Sequence, residues 1–406
     1  YTGTGTAGLA VAVGFEPQFV MFKAAVGTTS NWTMLDSMRG IITGGEDRQL
    51  YANSAGGEGG GIGIELTANG FNVMDTSGAY NTNGATYIYM AIRRPMKTPT
   101  VGTEVFNAVL TSSDTSGATG FPITIGFPVD LAHMKYTTLG VDSLILNRLT
   151  GLTANVGQGM LKTDSTAQQA NTGEVFSGDS NTGYKIYGHN YQRICYGFKR
   201  ATGFMDVVCY TGNGVAGREI SHGLTVAPEL MVVKVRDTAD SWYTYDVYSG
   251  PTKFMNLDLN NASTTASYVW NNTSPAASVF TVSNNNRVNA ASGSTYIAYL
   301  FATLAGVSKV GSYTGTGADL NVDCGFTAGA RYILIKRTDS TGDWYYWDTI
   351  RGINTGNDPY LLMNDAAAQV TNTDYIDPLP SGFTVTSAAP AGLNASSGTY
   401  IFLAIA

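Results

Sequence analysis

Charged residues are scarce in this sequence of 406 residues, at 13%, which is about half of the share that soluble domains usually carry. Acidic residues exceed basic ones, so the formal net charge is −7 at pH 7. No basic cluster is longer than the pair Arg93 and Arg94, which is too small to neutralise a phosphate backbone. The composition therefore predicts no nucleic-acid partner, and it favours a rigid β-protein that is extracellular or part of a virion.

Long hydrophobic runs are also missing. The longest one, from Tyr296 to Val307, contains Thr and Gly and is shorter than the roughly 20 residues that cross a bilayer. We therefore expect no membrane insertion. The sequence shows no signal peptide and begins at Tyr1, inside a predicted strand, from which we expect a segment or a processed form of a longer protein.

Cysteine and histidine, which often build catalytic and metal sites, number three each. They are Cys195, Cys209, Cys324, His133, His189 and His222. None of them has a second ligand at the spacing of a zinc site, and the sequence has no nucleophile elbow, zinc-protease motif or phosphate loop. We therefore predict no enzyme, no cofactor and no metal. The cysteines are expected to be small buried side chains, with a Cys195–Cys209 disulfide as the alternative.

The sequence does contain a repeat of about 100 residues, which is its main signal. A strand that ends in lysine occurs four times, as PQFVMFK, VDLAHMK, PELMVVK and ARYILIK, ending at Lys23, Lys135, Lys234 and Lys336. An opening YTGTG or YTGNG stands at Tyr1, Tyr210 and Tyr313. Each copy closes on an apolar strand. The predicted repeats span 1–96, 97–203, 204–306 and 307–406, of which the second is a diverged copy.

The fold class follows from short apolar runs that are rich in β-branched and aromatic residues and are separated by Gly, Asn, Ser, Thr and Asp. No stretch of a dozen residues has a helical period, although the Ala-rich segment Ala366–Val370 is compatible with one helical turn. The sequence therefore predicts an all-β protein of four tandem β-sandwich repeats with a jelly-roll-like architecture.

A W-x-x-x-D element follows the lysine strand in three repeats, and in two of these an arginine comes three residues later. Its members are Trp32, Asp36, Arg39, Trp242, Asp246, Trp344, Asp348 and Arg351. We interpret the Trp as an apolar plug and the Asp as the acceptor of backbone N–H groups in a tight turn. The alternative is a ligand site in which the Trp stacks on a sugar and the Asp binds its hydroxyl groups.

Aromatic residues in or beside predicted loops are the better candidates for binding. They are Tyr51, Tyr248, Trp270, Tyr360 and Tyr375. Such side chains serve either surface recognition or an interface between subunits, and the sequence alone does not separate the two.

Together these motifs resemble a repeat domain of tailed bacteriophages, often marine ones, which is known as a domain of unknown function in tail-fibre-like and virion structural proteins. The elements that carry the resemblance are YTGxG, the lysine strand, the W-x-x-x-D element, GF-x-V and the closing SG-x-Y. The resemblance implies a location in the virion, contact with other virion proteins, and a homo-oligomer, with a trimer as the favoured form. It supplies no catalytic residues.

These observations lead to three hypotheses of function. The first is a structural tail-fibre or virion-appendage protein that adheres to the host surface, with a cell-surface glycan as the receptor class. The alternative is a purely structural capsid-decoration or spacer protein. A spike that cleaves polysaccharide is the third, although it would need a pair of carboxylates across a sugar cleft, and the acids before each Trp are explained by turns.

Overall fold

A computed structural model describes residues 1–112, 120–151, 159–170, 176–178, 180–187 and 191–406. The predicted all-β class is confirmed, because antiparallel sheets account for nearly all of the regular structure. The helices in the described part are two of four residues each, Asn286–Asn289 (α1) and Ala391–Asn394 (α2), beside a 3-10 turn at Gly102–Glu104. The segment Ala366–Val370 is not helical, since Val370 forms a β-bridge with Tyr360. No helix in these ranges is both long and apolar enough to span a bilayer.

The strands fall into four groups, which we call units 1 to 4. Unit 1 contains Leu9–Ala12 (β1), Pro17–Val26 (β2), Thr33–Asp36 (β3), Asp47–Tyr51 (β4), Gly59–Gly61 (β5), Ile64–Thr67 (β6), Gly70–Val73 (β7) and Thr86–Arg93 (β8). Unit 2 contains Phe106–Leu110 (β9), Phe121–Thr124 (β10), Leu131–Tyr136 (β11), Leu144–Asn147 (β12), Leu161–Lys162 (β13), Phe176–Ser177 (β14), Gly183–Ile186 (β15) and Arg193–Phe198 (β16).

Unit 3 contains Met205–Thr211 (β17), Arg218–Ser221 (β18), Leu230–Val235 (β19), Tyr243–Asp246 (β20), Lys253–Asn256 (β21), Thr264–Thr265 (β22), Val279–Val282 (β23) and Thr295–Phe301 (β24). Unit 4 contains Ser308–Thr314 (β25), Leu320–Asp323 (β26), Tyr332–Arg337 (β27), Trp344–Asp348 (β28), Leu361–Leu362 (β29), Ile376–Leu379 (β30), Gly382–Val385 (β31) and Thr399–Ile405 (β32). The predicted repeat boundaries fall between these groups and stay a prediction.

Each unit has a larger and a smaller antiparallel sheet. The larger sheets have the strand orders β5-β4-β3-β2-β8, β13-β12-β11-β16-β9, β17-β24-β19-β20-β21-β22 and β25-β32-β27-β28-β29. The smaller sheets are β1-β7-β6, β10-β15-β14, β18-β23 and β26-β31-β30. In every unit the lysine strand lies between the closing strand and the strand of the W-x-x-x-D element or its counterpart. The closing strand has a second partner in units 2, 3 and 4, whereas β8 of unit 1 is an edge strand.

The inner face of each larger sheet packs on the smaller sheet of the same unit. In unit 3, for example, Met231 and Val233 of β19 share a buried cluster with Phe280 and Val282 of β23. Side chains alternate across a strand, so Leu230, Val232 and Lys234 point to the opposite, outer face. Because both faces are covered, β19 is a nearly continuous apolar strand.

Units 2, 3 and 4 pack together through the outer faces of their larger sheets. Phe198, Phe301 and Tyr332, one residue from each unit, meet in this shared core, where the rings of Phe198 and Phe301 are 6.4 Å apart and those of Phe198 and Tyr332 are 6.1 Å apart. A small apolar cavity of about 60 Å³ remains among the three faces. The shared core thus joins three sandwiches into one body.

Equivalent hydrogen bonds join unit 2 to unit 3, unit 3 to unit 4 and unit 4 to unit 2. The three bonds are Gln169 N to Arg236 O at 2.7 Å, Ser263 N to Thr338 O at 2.9 Å, and Gln369 N to Thr137 O at 3.0 Å. Every acceptor lies two residues after the repeat lysine, and every donor lies in the loop after the fourth strand of the larger sheet. Units 2 to 4 therefore form a closed ring with threefold pseudosymmetry.

Candidate functional site

Two of the three tryptophans of the W-x-x-x-D element, Trp242 and Trp344, lie at the contacts between units of the ring. Trp242 and Trp344 are buried, and each indole N–H donates to a backbone carbonyl of the preceding unit, Lys162 O at 2.9 Å and Asn256 O at 2.8 Å. Trp32 of unit 1 is only half-buried. The geometry supports the structural interpretation of these residues, since a buried indole has no face to offer a sugar.

The aspartates of the element cap the turn that follows the strand. Asp348 Oδ1 accepts the backbone N–H groups of Ile350 and Arg351, and Asp36 Oδ1 accepts the equivalent pair in unit 1. Asp246 caps its turn in the same way, by accepting the N–H of Ser249. The glycine four residues after each aspartate has a positive φ, 124° at Gly352, which explains why glycine recurs there.

The arginines of the element pair with these aspartates. Arg39 Nε lies 2.5 Å from Asp36 Oδ2, and Arg351 Nε lies 2.6 Å from Asp348 Oδ2. The second pair is nearly inaccessible, and Tyr196 of unit 2 donates its hydroxyl to Asp348 Oδ2 at 2.6 Å. A carboxylate with these partners holds a turn and joins two units.

The repeat lysines, which served only to identify the repeats in the sequence, also form contacts between units. Lys336 Nζ donates to Asn260 O of unit 3 at 3.0 Å and to the carbonyl of Gly342 in its own unit. Lys234 Nζ makes the matching contacts with Thr166 O of unit 2 and with its own loop at Asp240. Desolvation by burial lowers the pKa of both lysines to about 8. Their recurrence in strands that are otherwise apolar was the signal for this role.

His133 of unit 2 also lies on the ring contact, between the rings of Tyr196 and Tyr346, with Ser143 Oγ 2.7 Å from its Nε2. Burial, and then the nearby cations of Lys135 and Arg351, lower the pKa of His133 to about 3. His222 packs near Phe280, and His189 lies outside the described residues. No cluster of three His, Cys, Asp or Glu side chains with the arrangement of a metal site occurs in the described ranges.

The cysteines do not form the disulfide that was the alternative in the sequence. None of the three, all of which lie in described segments, is oxidised to a disulfide. Cys195 is fully buried in the sandwich core of unit 2, whereas Cys209 packs against the shared core. The two side chains belong to different layers, which explains why they do not meet.

One of the five predicted surface aromatics is not on the surface. Trp270 is fully buried, and its indole donates to Lys253 O at 3.0 Å. Although the residue lies in a loop after β22, the loop folds over the end of the sandwich of unit 3, so Trp270 closes that core and cannot stack on a ligand. The prediction that Trp270 is a surface aromatic for recognition or for a subunit interface is therefore wrong. Tyr51 is half-buried at the end of β4.

Tyr360 and Tyr375 form part of a half-buried aromatic cluster on unit 4. Their rings stack with centroids 5.8 Å apart, and Tyr345 lies 5.2 Å from Tyr360. Unit 1 has Thr33 at the position of Tyr345, so the cluster is not a general feature of the repeat. The rings of Tyr345 and Tyr360 also contact that of the buried Trp347, each with centroids 6.0 Å apart.

Tyr248 lies at the mouth of a cleft between units 3 and 4. The cleft has a volume of about 580 Å³. Its lining consists mainly of hydroxyl side chains with one lysine and one aspartate, and includes Ser249, Lys253, Ser263, Ser312, Thr314 and Asp339. Tyr248 is about half exposed, and its hydroxyl donates to Val310 O at 3.3 Å. An aromatic face beside many hydroxyl groups is an arrangement that can bind a sugar.

The chain is similar to one known protein family over most of its length. Residues 1–95 and 197–406 match the model of a domain of unknown function, DUF7483. The chain belongs to that family. No curated protein and no solved structure is detectably similar to it. The unmatched part, residues 96–196, covers most of unit 2, which is the copy that lacks the Trp and the YTG opening.

Proposed function

We propose that this chain is a structural protein of a bacteriophage tail fibre or another virion appendage, and that it contacts the host surface. The closed ring of units 2 to 4 supports a structural role, because three sandwiches with one shared core resist bending between units. The motifs that resemble phage repeat domains support the location in the virion.

The cleft between units 3 and 4 is the observation that carries the adhesive part of this proposal. It presents Tyr248, several Ser and Thr hydroxyls and Lys253 in one concave surface, and Asp339, which also lines it, is paired with Arg337. Sugars are bound by stacking on an aromatic ring and by hydrogen bonds to their hydroxyl groups, and this cleft offers both. A cell-surface glycan is therefore the receptor class that fits best.

A glycan array probed with the purified chain tests this proposal. We expect binding to at least one bacterial surface glycan, and a loss of at least tenfold in affinity for Tyr248→Ala. Tyr191→Ala is the matched control, because Tyr191 is similarly exposed but lies in unit 2, away from the cleft. Binding that is equal in both variants would exclude the cleft. If no glycan and no whole host cell binds, the spacer hypothesis replaces adhesion.

The location and the absence of catalysis need separate tests. Mass spectrometry of purified virions from a phage that encodes the chain should detect it, and immunogold labelling should place it on an appendage. A reducing-end assay on host polysaccharide should show no cleavage by the chain. Cleavage that disappears after an Asp→Asn substitution would instead establish the depolymerase hypothesis.

A further inference from the structure

Unit 1 has an apolar outer sheet face that no other described part of the chain covers. On the edge strand β8, Ile88, Met90 and Ile92 are 49%, 46% and 46% exposed. Across the sheet, Met90 is paired with Met21 on β2, and Met21 with Met34 on β3. Apolar side chains thus continue over three strands, which is more than scattered surface residues account for.

The same face is buried in the other three units. In every unit the closing strand pairs with the lysine strand in the same register. Each of these residues of β8 therefore has one counterpart in the closing strand of each other unit. The counterparts of Ile88, Met90 and Ile92 are Ile194, Tyr196 and Phe198 in unit 2, Ile297, Tyr299 and Phe301 in unit 3, and Ile401, Leu403 and Ile405 in unit 4. All nine are at most 8% exposed and lie in the shared core of the ring.

The polar residues of the ring interfaces also have equivalents in unit 1, where they make the contacts within the unit but not those between units. The amide of Trp32 is held by Asn53 Oδ1, just as Trp344 N is held by Asn364 Oδ1. Lys23 Nζ donates to Ser30 O in its own loop, as the ring lysines do. Among the described residues, however, Lys23 and the Trp32 indole have no hydrogen bond to another unit, which their ring counterparts do have.

We propose that the outer faces of unit 1 from three copies of this chain pack together as units 2, 3 and 4 do within one chain. The chain then contains an internal copy of its own trimer interface. In that trimer the Trp32 indole donates to the carbonyl of Tyr51 in the next copy, because Tyr51 occupies the position of Asn256, the acceptor for Trp344. Lys23 Nζ reaches the loop after β4 of that copy.

A strand that pairs with the edge of β8 is the other candidate occupant, although Tyr1 and Thr2 already pair with the first residues of β8, Thr86 and Tyr87. Such a strand would satisfy the backbone of β8, as β17 and β25 do for β24 and β32. Such a strand would leave Met21, Met34 and Trp32 uncovered. These side chains lie on the outer face of the sheet, on or beside β2 and β3, and not at the edge of β8. A second sheet covers all of them, so three facing sheets explain more of the exposed surface.

Sedimentation velocity of the full chain, from about 0.1 to 100 µM so that weak and tight assemblies are both covered, tests this inference. We expect a species with three times the mass of the chain. Met90→Lys should reduce its association constant at least a hundredfold, because it places a charge in the centre of the interface. Val215→Lys is the matched control, since Val215 is also exposed but lies on unit 3.

Tryptophan fluorescence gives a second readout that does not depend on mass. Four of the five tryptophans are buried, so acrylamide should mainly quench Trp32. The quenchable fraction should fall as the concentration of the wild-type chain rises and should stay constant in Met90→Lys. Circular dichroism of Met90→Lys should match the wild type, since the side chain is exposed in the monomer.

Three results would overturn the trimer: a monomer throughout the concentration range, a dimer as the largest species, or an oligomer that Met90→Lys leaves intact. This inference does not rest on the proposed function, because a trimer without glycan binding, or glycan binding by a monomer, separates the two.

Discussion

Unit 1 and the ring of units 2 to 4 have the same central strand order in the larger sheet, but the outer face of that sheet is exposed in unit 1 and buried in the ring. In the ring, the outer face of each larger sheet becomes core, so that its Lys, Trp and Asp are withdrawn from solvent. In unit 1 the same residue types are half-exposed. The Lys and Trp of the ring therefore serve contacts between units, whereas the Asp caps a turn of its own unit whether or not it is buried.

The largest effect should come from the tryptophans. Trp344→Ala removes a fully buried ring and its hydrogen bond, and we expect it to lower the free energy of unfolding by about 4 kcal/mol. Trp32→Ala should cost about 1 kcal/mol or less in the monomer. Urea unfolding followed by the fluorescence of the remaining buried tryptophans measures both. Equal losses would contradict the distinction between the two regions.

The aspartates sharpen the same comparison. Asp348→Ala leaves Arg351 buried without its partner and removes the acceptor of Tyr196, so a loss of about 3 kcal/mol is expected. Asp36→Ala breaks a pair whose side chains are each 23% exposed, and water then solvates Arg39, so a loss of about 1 kcal/mol is expected. Chemical denaturation of both variants, with Asp323→Ala as an exposed control, checks the difference.

The sequence predicted the fold well because its signals are local. Strand composition and turn residues identify an all-β chain, and the spacing of the lysine strands reveals the repeat. The roles of Trp344 and Lys336 were not predictable, because their partners are backbone carbonyls about 80 residues away in another unit. Burial of Trp270 was missed for a related reason, since its loop carries no periodic pattern that tells core from surface.

The smallest effect concerns the pH dependence of the ring. The pKa of Lys336 is about 8 in the folded chain and near its ordinary value of 10.5 when unfolded. Between these two pH values the unfolded chain binds a proton that the folded chain lacks, so the contribution of Lys336 to the free energy of unfolding rises with pH. Below about pH 8 this contribution stays constant at its lowest value, because both states are protonated. Lys234 acts in the same direction. From pH 8 to 9.5 we expect a gain on the order of 1 kcal/mol for each lysine.

Urea unfolding at several pH values in that window measures this gain. Lys336→Met and Lys234→Met should each make the slope of stability against pH less positive than in the wild type, because each removes one lysine whose pKa burial lowers. Lys135, whose pKa burial also lowers, and the thiols of Cys209 and Cys324, whose pKa burial raises, contribute equally to the slope in all of these variants. The window ends at pH 9.5 because the buried tyrosines, whose pKa values burial raises, reverse the trend at higher pH as unfolded tyrosines ionise. A double variant with Lys336→Met and Lys234→Met whose slope equals that of the wild type would contradict the role of these two lysines.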